Sequence, residues 1–306
     1  MKDFEKFYKY VILYFMPVLR KTRSVFAPAK INLHLSVKDR RQDGFHNIES
    51  VFAAVNFGDT LYFNVLKGEN TVKIDMQGLK SPLPLEENII FKAVSLFREK
   101  TGFNKGVKIR VKKRIPLGGG LGGGSSDAAA TLLTMNKLAG SPCRREDLLE
   151  MAGILGSDVP FFIHETAVAL VTGRGECVFP LKAPKLCLVL VNSGFHSETS
   201  AAYKLIDQNR TSAQTGKNNV FINKSEFDEK DFSHFTNDFL NFFPETQKSV
   251  YNEIIAKLRE FGAQYANLSG SGATCFGVFS DRGQVKKAAK AMRKKWSFVR
   301  ECFSIM

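Results

Sequence analysis

A glycine-rich stretch between residues 116 and 128 points most directly to chemistry. It reads Pro-Leu-Gly-Gly-Gly-Leu-Gly-Gly-Gly-Ser-Ser-Asp-Ala, with six glycines in the seven positions 118–124. Glycine packs no side chain, but it adopts positive φ and lets a ligand approach the backbone closely. Because a strand-like segment leads into the stretch and a helical one leaves it, its N–H groups suit a phosphate. A flexible linker is the alternative that composition leaves open.

Two well-known nucleotide-binding patterns fit this stretch poorly. Gly118 to Gly123 has the glycine spacing of a Walker A motif, but residue 124 is glycine where that motif needs lysine. The dinucleotide fingerprint is matched by Gly118, Gly120 and Gly123, as is almost unavoidable in a tract so rich in glycine. The preceding strand also has a fully charged face, unlike the first strand of a dinucleotide-binding fold. An NAD-dependent oxidoreductase therefore remains only as a disfavoured alternative.

The elements that must position the loop follow from local periodicity. Apolar residues recur at helical spacing over 86–100, and apolar and charged residues alternate over 107–111, which predicts a helix and then a half-exposed strand. Upstream, 24–66 holds β-like stretches, including the alternating segment 31–35. Downstream, the patterns predict helices at 145–154, 246–261 and 283–295, strands within 168–192, 266–279 and 297–303, and a polar surface insertion at 207–236.

The helix that leaves the loop is predicted over 125–139. Ser125 or Ser126 is expected to cap its N-terminus, with Asp127 in the first turn, and Gly140 to end it. The whole order of elements is mixed α+β, with a domain boundary expected near residue 165.

Length, charge and cysteine content limit the class of protein. The 306 residues suit about two domains. The net charge of +14 fits nucleic acid, a membrane surface or a phosphorylated small molecule. A nucleic-acid-binding protein is a second disfavoured alternative, because no recognition motif appears. The five cysteines are widely spaced without a zinc-site pattern, which favours free thiols in a reducing compartment.

The N-terminal segment 1–23 has an unusual apolar run at 11–19. This run is too short to span a bilayer, and no small-residue cleavage site follows it. We expect either a short appended helix or strand, or translation that begins at Met16, and assign the segment no role.

Six ordered motifs together resemble those of the GHMP small-molecule kinases. The loop and its Gly-Gly-Gly-Ser-Ser-Asp-Ala-Ala extension are similar to the phosphate loop of those members that phosphorylate a cytidylyl-methylerythritol alcohol. The other five motifs are Ala27–Leu33, Arg41–His46, Leu155–Phe162, Thr172–Glu176 and Asn267–Gly272. The resemblance covers about residues 24–303. It implies the α+β two-domain GHMP kinase fold, with a ribosomal S5 domain 2-like N-terminal domain (24–165) and a ferredoxin-like C-terminal domain (166–306).

The resemblance also implies an ATP site and a catalytic pair. ATP would contact Pro116, Leu117, Gly118, Gly119, Gly120, Leu121, Gly122, Gly123, Gly124, Ser125 and Ser126. Either Ser125 or Ser126 is a candidate for holding Mg²⁺. Asp158 would be the base that takes the substrate hydroxyl proton, and Lys30 would keep it ionised. Without the resemblance, Asp158 indicates a turn or an N-cap, and Lys30 a side chain that points to solvent.

Substrate recognition is expected from Asn32, Phe45, His46 and Asp158. In the family the segment at Phe45 grips a cytosine, so Phe45 would stack on the base and His46 would read its edge. Phe45 departs from the family, which usually has tyrosine there, so stacking is kept and a hydroxyl is lost. The second glycine turn at 270–272 would form a backbone wall at the site. Arg174 is expected to be only a cation in a turn.

The expected reaction is transfer of a phosphoryl group from ATP to the alcohol, giving the 2-phosphate and ADP. A homoserine- or mevalonate-type kinase is the alternative, and it needs no cytosine clamp. The expected cofactors are ATP and Mg²⁺, and the expected partner is a small-molecule substrate, not nucleic acid or a membrane. We expect a cytoplasmic protein that is a monomer or a weak homodimer.

Overall fold

Groups of consecutive strands and groups of consecutive helices follow one another along the chain in this computed structural model, which describes residues 22–66, 70–78, 84–210, 226 and 229–305. Its strands are β1 (Thr22–Arg40), β2 (His46–Leu66), β3 (Val72–Gln77), β4 (Gly106–Lys112), β5 (Val168–Thr172), β6 (Cys177–Pro180), β7 (Cys187–Asn192), β8 (Tyr265–Leu268), β9 (Thr274–Phe279) and β10 (Phe298–Phe303). Its α-helices are α1 (Ile89–Thr101), α2 (Gly123–Leu138), α3 (Arg145–Leu155), α4 (Val159–Ile163), α5 (Thr199–Asn209), α6 (Phe239–Phe242), α7 (Glu245–Glu260) and α8 (Arg282–Met292). Short 3₁₀ turns lie at Leu85–Glu87 and Glu229–His234.

The first sheet is organised around β2. Its order is β3-β4-β2-β5-β6, β1 also pairs with β2, and only the β3–β4 pair is parallel among these described strands. Strand β4 has the predicted half-exposed pattern, with Val107, Ile109 and Val111 buried and Lys108 and Arg110 exposed. Such alternation results when one face of a strand packs on a core and the other meets water.

Both faces of strand β1 are buried. Ala29, Ile31 and Leu33 belong to a core cluster shared with the second sheet. The alternating polar residues Asn32 and His34 lie on the other face, and only 2% of each is exposed. Alternation along 31–35 predicted a strand correctly, but which segments cover its two faces leaves no trace in a local pattern.

The second sheet has ferredoxin-like connectivity. The chain runs β7-α7-β8-β9-α8-β10, and the strand order is β10-β7-β9-β8, antiparallel at every pairing described. This is the β-α-β-β-α-β arrangement that the resemblance predicted. Helix α7 packs on β8 and β9 and buries Tyr251, Ile254 and Leu258, as its periodicity predicted.

Helix α2 begins differently from the prediction. Its N-cap is Gly122 at φ 67°, and no side chain caps the helix. Ser125 and Ser126 therefore lie inside the first turn as helical residues, so the predicted serine cap was wrong. Asp127 lies beyond that turn and is buried. Glycine can take the left-handed turn into the helix, which leaves the first N–H groups without a cap.

Two other predicted segments are also revised. The segment 207–236 is predicted to be a polar surface insertion. Residues 207–209 instead belong to α5, and near the other end of the segment Phe232 and Phe235 are buried against Tyr265. Residues 211–225 and 227–228 lie outside the described residues, as do 1–21 with the apolar run. Thr22 and Arg23 are not part of an extension, because they pair with Asn64 and Phe63 in the sheet.

The described part of the chain contains no helix both long and apolar enough to cross a bilayer. All five cysteines carry free thiols. Cys275 and Cys302 are fully buried, and burial raises the pKa of both thiols.

One buried phenol links the two sheets. Tyr265 Oη donates to the Leu33 carbonyl of β1 at 2.9 Å and accepts from Asn267 Nδ2 at 2.6 Å. We expect Tyr265→Phe to lower the free energy of unfolding by about 1–3 kcal/mol, because two buried polar groups lose their partner. Urea unfolding measures this. Tyr62→Phe, on a half-buried position of β2, is the control and should cost less than about 0.5 kcal/mol; equal losses in the two variants would contradict the link.

Candidate active site

A cleft of about 680 Å³ opens between the glycine-rich loop and the middle of β1. The turn before β2, the start of α4, one face of α5 and the turn between β8 and β9 complete its walls. Every residue predicted for the site lines this cleft except Ser126. Ser126 faces away from it, and its hydroxyl is buried with no hydrogen-bond partner in the described part of the chain.

The carbonyl oxygens of the loop are bonded back to the protein. The donors are Ser197 N and Ala273 N to Gly118, Thr274 N to Gly119, Ser269 Oγ to Gly120, and Lys30 N to Leu121. By contrast, no N–H group from Gly120 to Ser125 meets an acceptor within the described residues. The N–H groups of Gly123, Gly124 and Ser125 also lie in the first turn of α2, at the positive end of the helix dipole. The loop therefore presents donors to the cleft, and its geometry suits an anion.

Gly120 is the position where the loop most needs glycine. Its φ is 71°, and a Cβ there would lie 2.1 Å from the Ser269 carbonyl oxygen. The loop and the second glycine turn are thus in backbone contact, which agrees with the predicted wall at 270–272. No larger residue allows this approach.

Lys30 and Asp158 form an ion pair beside the loop. Lys30 Nζ lies 3.2 Å from Asp158 Oδ2, donates to Asn32 Oδ1 at 2.6 Å and lies 4.3 Å from the centroid of the Phe52 ring. The lysine is buried, whereas 29% of the Asp158 side chain is exposed. Asp158 holds the N-cap position of α4 but makes no capping hydrogen bond. Its carboxylate is therefore held by Lys30 and open to the cleft.

Asn32 supports this pair rather than facing a ligand freely. Its Nδ2 donates to Ser50 Oγ at 2.9 Å, and its Oδ1 accepts from Lys30. Ser50 Oγ in turn donates to the His34 carbonyl. With both ends of the amide occupied, Asn32 fixes where the Lys30 ammonium points.

The far end of the cleft is aromatic. Half of Phe45 is exposed (49%), and the Arg174 guanidinium lies 4.9 Å from its ring centroid. His46 is buried, pairs through Nε2 with Asp207 Oδ1 at 2.8 Å, and stacks on Tyr203 with centroids 5.1 Å apart and planes 12° apart. The structure thus brings Phe45 and His46 into one cleft, as predicted.

Sequence reasoning missed Tyr203 and Asp207, which line the cleft from α5. The available signal was the apolar pair Ala202 and Ile206, which are four positions apart and buried. Burial raises the pKa of Tyr203, and the negative charge of Asp158 raises it further. The phenol therefore stays protonated.

Comparisons with known proteins find relatives that match most of the chain. Two family models match: "GHMP kinases N terminal domain" over residues 88–166 and "GHMP kinases C terminal" over 229–297. A 4-diphosphocytidyl-2-C-methyl-D-erythritol kinase of Thermodesulfovibrio yellowstonii is 38% identical over 278 residues, covering 88% of this chain and 93% of the relative. One of Chlorobium phaeobacteroides is 37% identical over 283 residues, covering 89% and 94%.

Solved structures show the same fold. A crystal structure of 4-(cytidine 5'-diphospho)-2C-methyl-D-erythritol kinase matches with a TM-score of 0.76 and 29% identity, covering 93% of this chain and all of that one. Homoserine kinase of Cytophaga hutchinsonii matches with a TM-score of 0.65 and 17% identity, covering 95% and 97%. The second likeness concerns the fold alone.

The close approach at Gly120 gives a testable difference between two loop glycines. We expect Gly120→Ala to lower the free energy of unfolding by at least about 1–2 kcal/mol, the cost of left-handed backbone, with a further loss from the clash at Ser269. Gly124→Ala is the matched control, because its nearest neighbour lies 3.8 Å away and its φ is helical. It should be neutral or stabilise by up to about 1 kcal/mol. Thermal unfolding of both variants measures the difference, and equal stabilities would contradict it.

Proposed function

We propose how the cleft works from one premise: this chain belongs to the GHMP kinases, and within them to the 4-diphosphocytidyl-2-C-methyl-D-erythritol kinases. It uses ATP to phosphorylate the 2-hydroxyl of that cytidylyl alcohol, in the methylerythritol phosphate route to isoprenoid precursors. The residue roles that follow are our own assignments.

The Lys30–Asp158 pair carries the proposal. A kinase must bring an alcohol in line with the γ-phosphoryl group and accept its proton. Asp158 is the group for that task, because its carboxylate is open to the cleft beside the loop. The ammonium of Lys30, 3.2 Å away, holds the carboxylate in place and would polarise the hydroxyl. General base catalysis of this kind contributes ~10²–10⁴-fold.

The glycine-rich loop is assigned to the nucleotide. The N–H groups from Gly120 to Ser125, which meet no acceptor within the described residues, would hold the β- and γ-phosphates at the N-terminus of α2. Positioning the two reactants and compensating the charge on the transferred group supply the larger share of the rate.

Mg²⁺ fits this site as a partner of the phosphates. The described residues contain no cluster of three or more His, Cys, Asp or Glu that would hold a metal by itself. Mg²⁺ commonly keeps several waters and binds one or two carboxylates together with substrate phosphates. Ser125, which lines the cleft at the end of the loop, would hold it, and the ion would neutralise developing phosphate charge. Ser126, the other predicted candidate, is not proposed because its hydroxyl is buried away from the cleft.

Phe45 and His46 are assigned to the cytosine. The half-exposed Phe45 ring offers an apolar face for stacking. His46 is fixed by Asp207 at Nε2 and by Tyr203 along its plane, so its other nitrogen is the one to read the base edge. A homoserine- or mevalonate-type kinase would not need this aromatic end, which favours the cytidylyl substrate over those alternatives.

The two sheets also suggest where the domains meet. Because β5 and β6 follow residue 165 but pair in the first sheet, we place the boundary between β6 and β7 rather than near 165. A monomer or weak homodimer acting in the cytoplasm, where ATP is supplied, remains part of the proposal.

Asp158→Asn tests the base and the reaction together. We expect kcat for 4-diphosphocytidyl-2-C-methyl-D-erythritol to fall ~10²–10⁴-fold, because the amide cannot accept the proton. ADP release with Mg²⁺–ATP measures it, with homoserine and mevalonate as comparison substrates. Turnover of either comparison alcohol in place of the cytidylyl substrate would refute the substrate assignment, and an unchanged kcat in the variant would refute the base.

Phe45→Ala tests the cytosine clamp. We expect the KM for the cytidylyl substrate to rise about 5- to 150-fold, the equivalent of losing one stacked base, while the KM for ATP stays unchanged. Phe26→Ala is the matched control, since Phe26 is similarly exposed (45%) but does not line the cleft. Steady-state kinetics of both variants decide the matter; equal KM values for the cytidylyl substrate would argue against the clamp.

A further inference from the structure

A buried cluster of three charges lies at the base of the glycine-rich loop. Lys113 Nζ pairs with Asp59 Oδ2 of β2 and, at 2.8 Å, with Asp127 Oδ2 of α2. The exposed fractions of the three side chains are 3%, 0% and 2%. None of these residues was assigned a role above, although Lys113 lines the cleft.

The positions of these residues along the chain are what make the cluster informative. Lys113 directly follows β4 and lies three residues before Pro116, where the loop begins. Asp127 lies two residues after Ser125, where the loop ends. Their ion pair therefore joins two residues that are 14 positions apart in the chain, and the whole loop lies between them.

Asp59 holds the segment that leads into the loop against the sheet. Besides pairing with Lys113, its Oδ1 accepts the backbone N–H groups of Arg114 and, at 2.9 Å, Ile115. One ammonium thus joins β2, the entry to the loop and the helix that leaves it. Asp127 Oδ1 has no hydrogen-bond partner in the described part of the chain. The Asp127 carboxylate is therefore held through the contact of its Oδ2 with Lys113.

Physical reasoning favours a positioning role over a stabilising one. A buried ion pair is weak evidence for stability, because desolvation of the charges offsets their attraction and an apolar pair often does as well. An apolar pair would not, however, fix the two ends of a loop at a set distance. Six glycines give the loop large conformational freedom, so ordering it when a nucleotide binds costs free energy. Holding the two ends of the loop at a fixed distance would lower that cost.

We propose that Lys113, Asp59 and Asp127 act as a clasp that holds the glycine-rich loop in its phosphate-binding shape before nucleotide arrives. The three are positioning residues that act through the loop backbone. The inference rests on the proposed nucleotide role of the loop and extends it to residues that touch no substrate.

Calorimetric titration of the full chain with Mg²⁺–ADP tests the clasp without any alcohol. Asp127→Asn keeps the size of the side chain but removes its charge, and we expect it to raise the Kd for Mg²⁺–ADP about tenfold or more. In steady-state assays the KM for ATP should rise with it, while the KM for the alcohol stays unchanged. Asp59→Asn breaks the clasp on its other side and should act in the same direction, which covers the case in which one variant fails to fold.

Leu132→Ala is the matched control, because Leu132 is a fully buried residue of the same helix that is not one of the clasp residues. It should lower the melting temperature without changing the Kd for Mg²⁺–ADP. An unchanged Kd in folded Asp127→Asn or Asp59→Asn would overturn the clasp, as would an equal rise in Leu132→Ala. Failure of the wild-type chain to bind Mg²⁺–ADP would instead overturn the nucleotide role of the loop, and the clasp with it.

Discussion

The glycine-rich loop is held by hydrogen bonds to its carbonyl oxygens, which within the described residues leaves its N–H groups free to face the cleft, and much of the structure contributes to this arrangement. The carbonyls of residues 118–121 are bonded by donors from β1, from the segment before α5 and from the β8–β9 turn. Both sheets therefore contribute to the shape of one loop. The close approach of Gly120 to Ser269 is part of the same arrangement, because a side chain there would separate the two sheets' turns.

Strand β1 connects this backbone site to the proton chemistry. Its apolar residues pack between the sheets, which fixes the strand. Its polar residues are buried on the other face, where Lys30 donates to Asn32 and Asn32 donates to Ser50 of β2. A buried lysine needs a partner, since an unpaired charge in the interior is costly. Asp158 is that partner, so the packing of the strand decides where the carboxylate rests.

The basic character of the chain takes on a specific meaning in this setting. A net charge of +14 attracts anions without selecting among them. In the proposed function, selection comes from the cleft, where loop N–H groups and Lys30 lie at one end and an aromatic surface around Phe45 and His46 at the other. The loop end would bind the phosphates of a nucleotide, and the aromatic end would stack on the base of a cytidylyl alcohol.

The sequence by itself determined the local elements and the family. Periodicity located α1, β4, α7 and α8, because each has one face on a core, and the ordered motifs singled out the glycine-rich loop, Lys30 and Asp158, which the structure brings to one cleft. Only the tertiary structure decided what covers a face: it buried Asn32 and His34, turned Ser126 away from the cleft, and brought in Tyr203 and Asp207 from α5. The physical reason is that a local pattern records whether one side of an element avoids water. It does not record which distant segment provides the cover, as the closure of Lys113 on Asp59 and Asp127 illustrates.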